Sequence, residues 1–194
     1  MRMSNQTGII AAVGIILGAA GIGFGVYRWR RSIGTVSFGE ARFMRSAMQM
    51  NAELLALGRI AGVQAAHDEV RDFAQLLVED HSQEQSDLAG IAAYLGVPVA
   101  TVISRRITKL AEKLKTLDGD AIDLAFMKTM VATHEVNVDL FKRIAEKGRT
   151  AEVKAYAHQF LARLEKHLAA AKSVAAGLSP QEQNHQTPAL GALN

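Results

Sequence analysis

The chain of 194 residues contains no cysteine and only three prolines. Without cysteine there can be no disulfide, thiolate nucleophile, iron–sulfur cluster or cysteine-ligated zinc site. Aromatic residues make up 6% of the chain, the net charge is only +3, and no basic stripe with interleaved aromatics occurs, so nucleic acid is not an expected partner. Apolar residues, by contrast, make up 49% of the chain, which is enough for a sizeable core.

Residues 8–27 carry no charged side chain. A helix of this length spans ~30 Å, which matches the hydrocarbon core of a bilayer. Tyr27 and Trp29 stand where an interfacial aromatic belt would lie, with arginines at 28, 30 and 31. The segment therefore predicts one retained transmembrane helix and a single-pass membrane protein. A cleavable signal peptide is the alternative, with Gly18-Ala19-Ala20 as a weak cleavage site.

Four glycines of this segment recur at spacings of four, three and four residues, namely Gly14, Gly18, Gly21 and Gly25. On a helix they form one stripe with two G-x-x-x-G pairs, and such stripes let two membrane helices pack closely. The stripe predicts that the chain forms a homo-oligomer, or pairs with another membrane protein, within the lipid bilayer. Chance spacing in a membrane helix, where glycine is common, is the alternative.

The rest of the chain predicts an all-α protein. The expected organisation is a tail and transmembrane helix over 1–31, a linker over 32–39, a four-helix bundle over 40–176 and a disordered tail over 177–194. The bundle helices are expected at 40–62, 67–95, 119–147 and 151–176. A short amphipathic helix is expected within the longer connection 97–118, through Ile103, Ile107, Leu110 and Leu114. Four amphipathic helices with two short turns and one longer crossover are typical of a four-helix bundle. No internal repeat stands out.

Polar residues interrupt the inward apolar stripe near the middle of each bundle helix: Glu53, His81 with Glu84, His134, and His167. A buried imidazole or carboxylate costs free energy unless it is hydrogen-bonded, paired or bound to a metal. One interpretation is a metal site for Zn, Cu or Fe, because neutral imidazoles and a carboxylate suit these ions. The other is a hydrogen-bonded polar layer that fixes helix register.

Di-iron chemistry of the usual kind is not expected. Di-iron bundles take a Glu-x-x-His pair from each of two helices. The residues three positions before the inward histidines are Val78, Val131 and Leu164, and the only related pair is the reversed His81-x-x-Glu84. No catalytic residues are predicted, and an enzymatic role is not expected.

Several short runs carry a resemblance to a known family: Leu77–His81 (Leu-Val-Glu-Asp-His), Phe126–Glu135 (Phe-Met-Lys-Thr-Met-Val-Ala-Thr-His-Glu), Phe160–Leu168 with its Leu-Glu-Lys-His-Leu ending, and Glu53–Ala61. Over residues 40–176 the chain resembles the bacterial ferritin-like family called domain of unknown function 4142. The resemblance implies a ferritin-like four-helix bundle, in a protein that is usually exported or associated with the cell envelope. It implies no established enzymatic activity.

The resemblance also implies site residues. It gives His81, His134 and His167 as recurrent inward histidines, with Glu53 and Asp80 as accompanying acids. Together with the apolar segment it implies a single-pass protein of the bacterial inner membrane, with the bundle in the periplasm. The charges flanking the apolar segment, Arg2 before it and three arginines after it, favour a cytoplasmic bundle instead, so the side of the membrane stays open.

Two functional hypotheses follow. The first is a membrane-anchored interaction, scaffold or accessory protein that associates through the glycine stripe. The alternative is a metal-binding or metal-dependent redox protein that uses the His/Glu layer.

Overall fold

The computed structural model describes residues 36–178, and all regular structure in that range is helical. Five helices follow in order: α1 Phe38–Gln64, α2 Asp68–Leu95, α3 Arg105–Leu114, α4 Gly119–Lys147 and α5 Ala151–Leu178. The predicted all-α bundle is therefore confirmed.

Local chemistry explains where these helices begin and end. Ser37 caps α1 with a capping box, in which its hydroxyl accepts from the Glu40 N–H and the Glu40 carboxylate accepts from the Ser37 N–H. Helix α2 ends at Leu95 and is capped by Gly96, whose φ of 68° is the left-handed conformation that glycine adopts readily. Helix α3 begins behind Ser104, whose hydroxyl accepts from the Ile107 N–H.

Two carboxylates show how the helices run. Glu40, at the start of α1, accepts hydrogen bonds from the backbone of residues 149–150, which connect α4 to α5. Asp123, near the start of α4, accepts from residues 66–67, which connect α1 to α2. Helices α1 and α4 are therefore antiparallel, and α2 and α4 begin at the same end of the bundle. The connection that carries α3 returns along the length of the bundle.

The most extensive packing lies within two hairpins, α1 with α2 and α4 with α5. Short connections hold the helices of each hairpin antiparallel. Their apolar stripes meet in one core that includes five buried phenylalanines: Phe43, Phe73, Phe126, Phe141 and Phe160. The crossover helix adds Ile107 and Leu114, both buried, whereas Ile103 precedes the helix and is 42% exposed.

Some predicted bounds need correction. Helix α1 begins at Phe38 and not at 40, because the capping box at Ser37 brings the end of the expected linker into the helix. Helix α5 continues to Leu178, so the expected disordered tail does not begin at 177. Residues 179–194 lie outside the described residues.

The predicted localisation, a single-pass protein of the bacterial inner membrane, is contradicted. Within residues 36–178 no helix is both long enough and apolar enough to cross a bilayer. The apolar segment 8–27, with Gly14, Gly18, Gly21 and Gly25, lies outside the described residues.

Candidate metal centre

Three buried histidines meet in the middle of the bundle. His81 comes from α2, His134 from α4 and His167 from α5, and their exposed fractions are 0%, 0% and 2%. Each occupies a position of its helix's apolar stripe, where a leucine or phenylalanine would be ordinary. The 3.6-residue period of the helix therefore turns these imidazoles inward together with the core.

The three rings approach the spacing that one shared ion requires. Their centroids are 5.9 Å apart for His81–His134, 5.3 Å for His81–His167 and 5.5 Å for His134–His167. One ring nitrogen from each histidine lies within 4.8 Å of the other two. An ion bound at about 2.0–2.1 Å from each nitrogen needs them about 3.5 Å apart, so binding requires the rings to close by about 1 Å.

Each imidazole is held by a hydrogen bond through one nitrogen only. His134 Nδ1 lies 2.8 Å from the Met130 carbonyl oxygen, and His167 Nε2 lies 2.8 Å from Asp80 Oδ2. His81 Nδ1 lies 2.9 Å from Asn51 Oδ1. Since these acceptors require N–H donors, the proton sits on the bonded nitrogen and the lone pair on the other.

The nitrogens that keep their lone pairs have no hydrogen-bond partner among the described residues. They are His81 Nε2, His134 Nε2 and His167 Nδ1. Buried polar atoms without partners are uncommon in folded proteins, and each calls for an explanation such as an ion. The donor set and the orphaned nitrogens therefore fit a metal ion.

The environment keeps His134 and His167 neutral. Burial lowers the pKa of His134 to about 3, against the smaller raising effect of the Met130 carbonyl. Burial also lowers the pKa of His167, opposed by its hydrogen bond to Asp80. A neutral imidazole is the form that binds metals, so near pH 7 both rings are ready to act as ligands.

Glu84 lies beside His81 and not within the group of three. Its Oε2 is 2.9 Å from His81 Nδ1, an electrostatic contact without hydrogen-bond alignment. Its Oε1 accepts a 3.2 Å hydrogen bond from the Tyr156 hydroxyl. Burial, followed by the negative charge of Glu84, raises the pKa of Tyr156, which therefore stays a neutral donor. Glu84 therefore lies on the Nδ1 side of His81, and the hydrogen bond from Tyr156 holds it there.

Glu53, predicted to accompany the histidines, is placed elsewhere. Its Oε1 accepts from Gln49 Nε2 at 2.9 Å and from the backbone N–H of Ser104 at 3.0 Å, so it holds the start of α3. The residue of α1 that reaches the histidines is Asn51, fully buried and two positions away. Two positions are about 200° around a helix, which explains why only one of the two can face the centre.

Sequence analysis missed Asn51 and Tyr156. Asn51 stands four residues after Ala47 and three before Leu54, so helical spacing already placed it on the buried face. Tyr156 stands three residues after Val153, so the same spacing placed it on the buried face of α5. Asp80, which the resemblance gave as an accompanying acid, does contact an inward histidine.

Comparison with solved structures shows the same fold in two other proteins. One is the DUF305 fragment from Deinococcus radiodurans, with a TM-score of 0.66, 16% identity, and coverage of 74% of this chain and 99% of that chain. Another, from Streptomyces coelicolor, is described as "putative secreted protein DUF305", with a TM-score of 0.64, 17% identity, and coverage of 76% and 97%. At these identities the likeness shows the fold alone.

No curated protein matches the chain. A family model does: the one described as "Domain of unknown function (DUF4142)" matches residues 33–174. This range contains all five helices except the last residues of α5, together with the whole histidine cluster. The chain therefore belongs to the DUF4142 family.

Proposed function

We propose that this protein binds one transition-metal ion through His81, His134 and His167. The observation that carries the proposal is the convergence of three buried imidazoles, each with one nitrogen that has no partner. The other nitrogen of each ring is occupied by Asn51, the Met130 carbonyl or Asp80. Metal-ligating histidines are held in the same way in other proteins, by an acceptor on the far nitrogen.

The donor set favours copper or zinc. With Glu53 at the start of α3 and Glu84 behind His81, the ligands that remain are three neutral nitrogens. Imidazole suits zinc, copper and iron, and the general order of affinities places Cu²⁺ and Zn²⁺ above Fe²⁺. Asp80 contacts His167 and Glu84 contacts His81, so their negative charges lie near the site and offset the charge of a buried cation.

The topology supports a ferritin-like interpretation of the bundle. Two antiparallel hairpins joined by one long connection describe the ferritin-like arrangement. In such bundles the metal site lies in the core between facing helices, as the histidine cluster does here. We infer a single site with nitrogen ligands at the place where a di-iron protein has two ions and a set of carboxylates.

Metal titration of the full-length protein tests the proposal. After removal of any purification tag and treatment with a chelator, we expect one equivalent of Zn²⁺ or Cu²⁺ to bind. His134→Ala should weaken binding at least 100-fold, and Asp80→Asn about 10- to 100-fold, because the carboxylate orients His167. His158→Ala is the matched control, since His158 is exposed on α5 and outside the cluster. Equal binding by wild type and His134→Ala, or no stoichiometric metal, would contradict the proposal.

A second measurement separates a metal site from a polar layer that fixes helix register. His134→Leu replaces a buried polar ring with an apolar side chain, and such changes are often neutral or stabilising when a polar atom lacked a partner. We expect the metal-free variant to unfold at the wild-type temperature or higher. Zinc should raise the unfolding temperature of wild type only. Strong destabilisation of the metal-free variant would favour the register role.

The interaction or scaffold role predicted from Gly14, Gly18, Gly21 and Gly25 concerns glycines outside residues 36–178. It stays a prediction. The metal site is the function that the described residues favour.

A further inference from the structure

The three histidines differ in how far their supporting contacts lie from solvent. The partner of His81 is Asn51, which is fully buried, and the partner of His134 is the carbonyl of the fully buried Met130. The partner of His167 is Asp80, whose side chain is 26% exposed. Among the described residues, the hydrogen bond of His167 is thus the one that joins the cluster to the surface.

Asp80 opens into a depression of the surface. The depression has a volume of about 460 Å³ and is lined by Glu79, Asp80, Ser82, Gln83 and Arg163. Two of these side chains are carboxylates, the groups that attract a hydrated divalent cation before it loses water. Asp80 therefore lines the acidic depression and also contacts one of the buried ligands, His167.

Arg163 contacts Asp80 in this depression. Its Nε is 3.7 Å from Asp80 Oδ1, and its Nη1 is 3.5 Å from the Asp80 carbonyl oxygen. Its guanidinium lies 5.1 Å from the centre of the Phe160 ring. Asp80 uses its other oxygen, Oδ2, for His167, so the arginine and the histidine hold the two oxygens of one carboxylate.

We propose that Asp80 is the first ligand of the incoming metal ion and passes it from this depression to His167. The ion displaces Arg163 from Oδ1 and exchanges water for the carboxylate. When the Asp80–His167 hydrogen bond opens, the imidazole turns its unprotonated Nδ1 towards the ion, takes it from Asp80 and carries it into the cluster. This inference rests on the proposed function, because it concerns the route to the same site. The ligand class is a divalent first-row cation, with Zn²⁺ as the probe.

An entrance has a kinetic signature that a structural role lacks. It changes the rates of association and dissociation by the same factor and leaves the equilibrium affinity unchanged. Arg163→Gln removes the competing cation, so Zn²⁺ should enter and leave about tenfold faster, with little change in Kd. Glu79→Gln removes an attracting charge and should slow association about threefold. Arg163→Lys keeps the positive charge and should stay close to wild type.

Stopped-flow mixing of the metal-free, full-length protein with Zn²⁺ measures association. Displacement by excess chelator measures dissociation. Arg143→Gln and Glu165→Gln are matched controls, since they make the same charge changes at exposed positions outside the depression. Circular dichroism establishes that every variant is folded before its rates are compared.

The outcomes are distinguishable from those of the binding test. If wild type binds Zn²⁺ at the histidines but Arg163→Gln leaves both rates unchanged, the entrance is overturned and the metal site stands. If Arg163→Gln weakens Kd without faster association, Arg163 only positions Asp80, which also overturns the entrance. If wild type binds no metal at all, both proposals fail together.

Discussion

The two hairpins of the bundle, α1–α2 and α4–α5, follow one plan displaced by 83 positions along the chain. Glu40 binds residues 149–150 of the second hairpin, and Asp123 binds residues 66–67 of the first. The same displacement carries Glu40 to Asp123 (40 to 123) and residues 66–67 to 149–150. Each hairpin thus holds the connection of the other through an acid near the start of its first helix. We call these two sets of contacts the Glu40 clamp and the Asp123 clamp.

The aromatic core repeats in the same way. Phe43 and Tyr156 pack edge to face at 6.1 Å and 62°, and Phe126 and Phe73 do so at 6.4 Å and 63°. The displacement of 83 carries Phe43 to Phe126 and Phe73 to Tyr156. The bundle therefore has an approximate internal two-fold repeat, which corrects the sequence-based expectation that the chain has no repeat.

The centre of the bundle breaks this repeat. His134 and His167 of the second hairpin correspond to Asn51 and Glu84 of the first, and His81 corresponds to Leu164. The second hairpin thus supplies two of the proposed ligands, whereas the first supplies one ligand and two groups that support it. The shared scaffold does not by itself require a histidine at any of these positions, so the three imidazoles call for an explanation beyond the fold.

Removing each clamp should produce the largest effect. Glu40→Ala leaves the buried backbone N–H of Thr150 without an acceptor, and we expect a loss of about 3 kcal/mol in the free energy of unfolding. Asp123→Ala should lose about 2 kcal/mol, because the donors it frees at Ala66 and His67 are exposed and can bind water. Urea denaturation of both variants measures the difference. Equal losses would show that the greater exposure of residues 66–67 does not make the Asp123 clamp weaker than the Glu40 clamp.

The clamps should also respond to pH in opposite directions. Burial favours the neutral form of Glu40, but hydrogen bonds from Thr150, Ser37 and Arg149 outweigh burial and lower its pKa from 4.5 to about 2. The hydrogen bond to Asp123 is the main cause that raises the pKa of His67 above 6.5. The carboxylate clamp therefore adds stability above pH 4.5 that is lost as the pH falls towards 2. The contact of His67 with Asp123 adds stability below pH 6.5 that is lost as the pH rises through the pKa of His67 in the folded state.

Two variants measure these responses. Between pH 6 and pH 3, the stability advantage of wild type over Glu40→Gln should shrink by about 2 kcal/mol. His67→Thr introduces the type of residue that the second hairpin has at this place, and its difference from wild type should shrink as the pH rises from 6 to 9. Glu165→Gln, at an exposed position, is the control and should show no such dependence. A constant difference across either range would contradict the corresponding clamp.

The helices could be predicted closely from the sequence, because each long helix is an apolar stripe that ends at a cap or a glycine. Helix α4 was expected at 119–147 and is observed as Gly119–Lys147. The inward positions of His81, Glu84, His134 and His167 followed from the same period, and all four are buried.

The connections between helices could not be predicted in this way. The hydrogen bond from Tyr156 to Glu84 joins residues 72 positions apart, and the periodicity of a single helix contains no information about its neighbour. Glu53 was expected beside the histidines and lies at the start of α3 for the same reason. The packing of α1 against α2 decides which residue of α1 faces His81, and that residue is Asn51.

The smallest expected effect concerns how closely the helices of each hairpin approach. Gly58 of α1 corresponds to Phe141 of α4, so the first hairpin has a glycine where the second has a buried phenylalanine. A Cβ at Gly58 would lie 3.0 Å from Val78 Cγ2 and 3.3 Å from the Ala74 carbonyl oxygen, and a backbone oxygen cannot rotate away. Gly58→Ala should therefore lower the free energy of unfolding by about 1 kcal/mol, despite the better helix propensity of alanine.

Gly90 provides the matched control, because it lies inside α2 and a Cβ there would meet nothing within 4 Å. Gly90→Ala should stabilise the protein by about 0.5–1 kcal/mol, through helix propensity alone. Opposite signs for the two alanine variants in urea denaturation would show that close helix contact, and not glycine's flexibility, explains Gly58. If both variants are stabilising, the first hairpin has room that its contacts at Gly58 do not suggest. The two hairpins would then differ in their central side chains without differing in how tightly their helices pack.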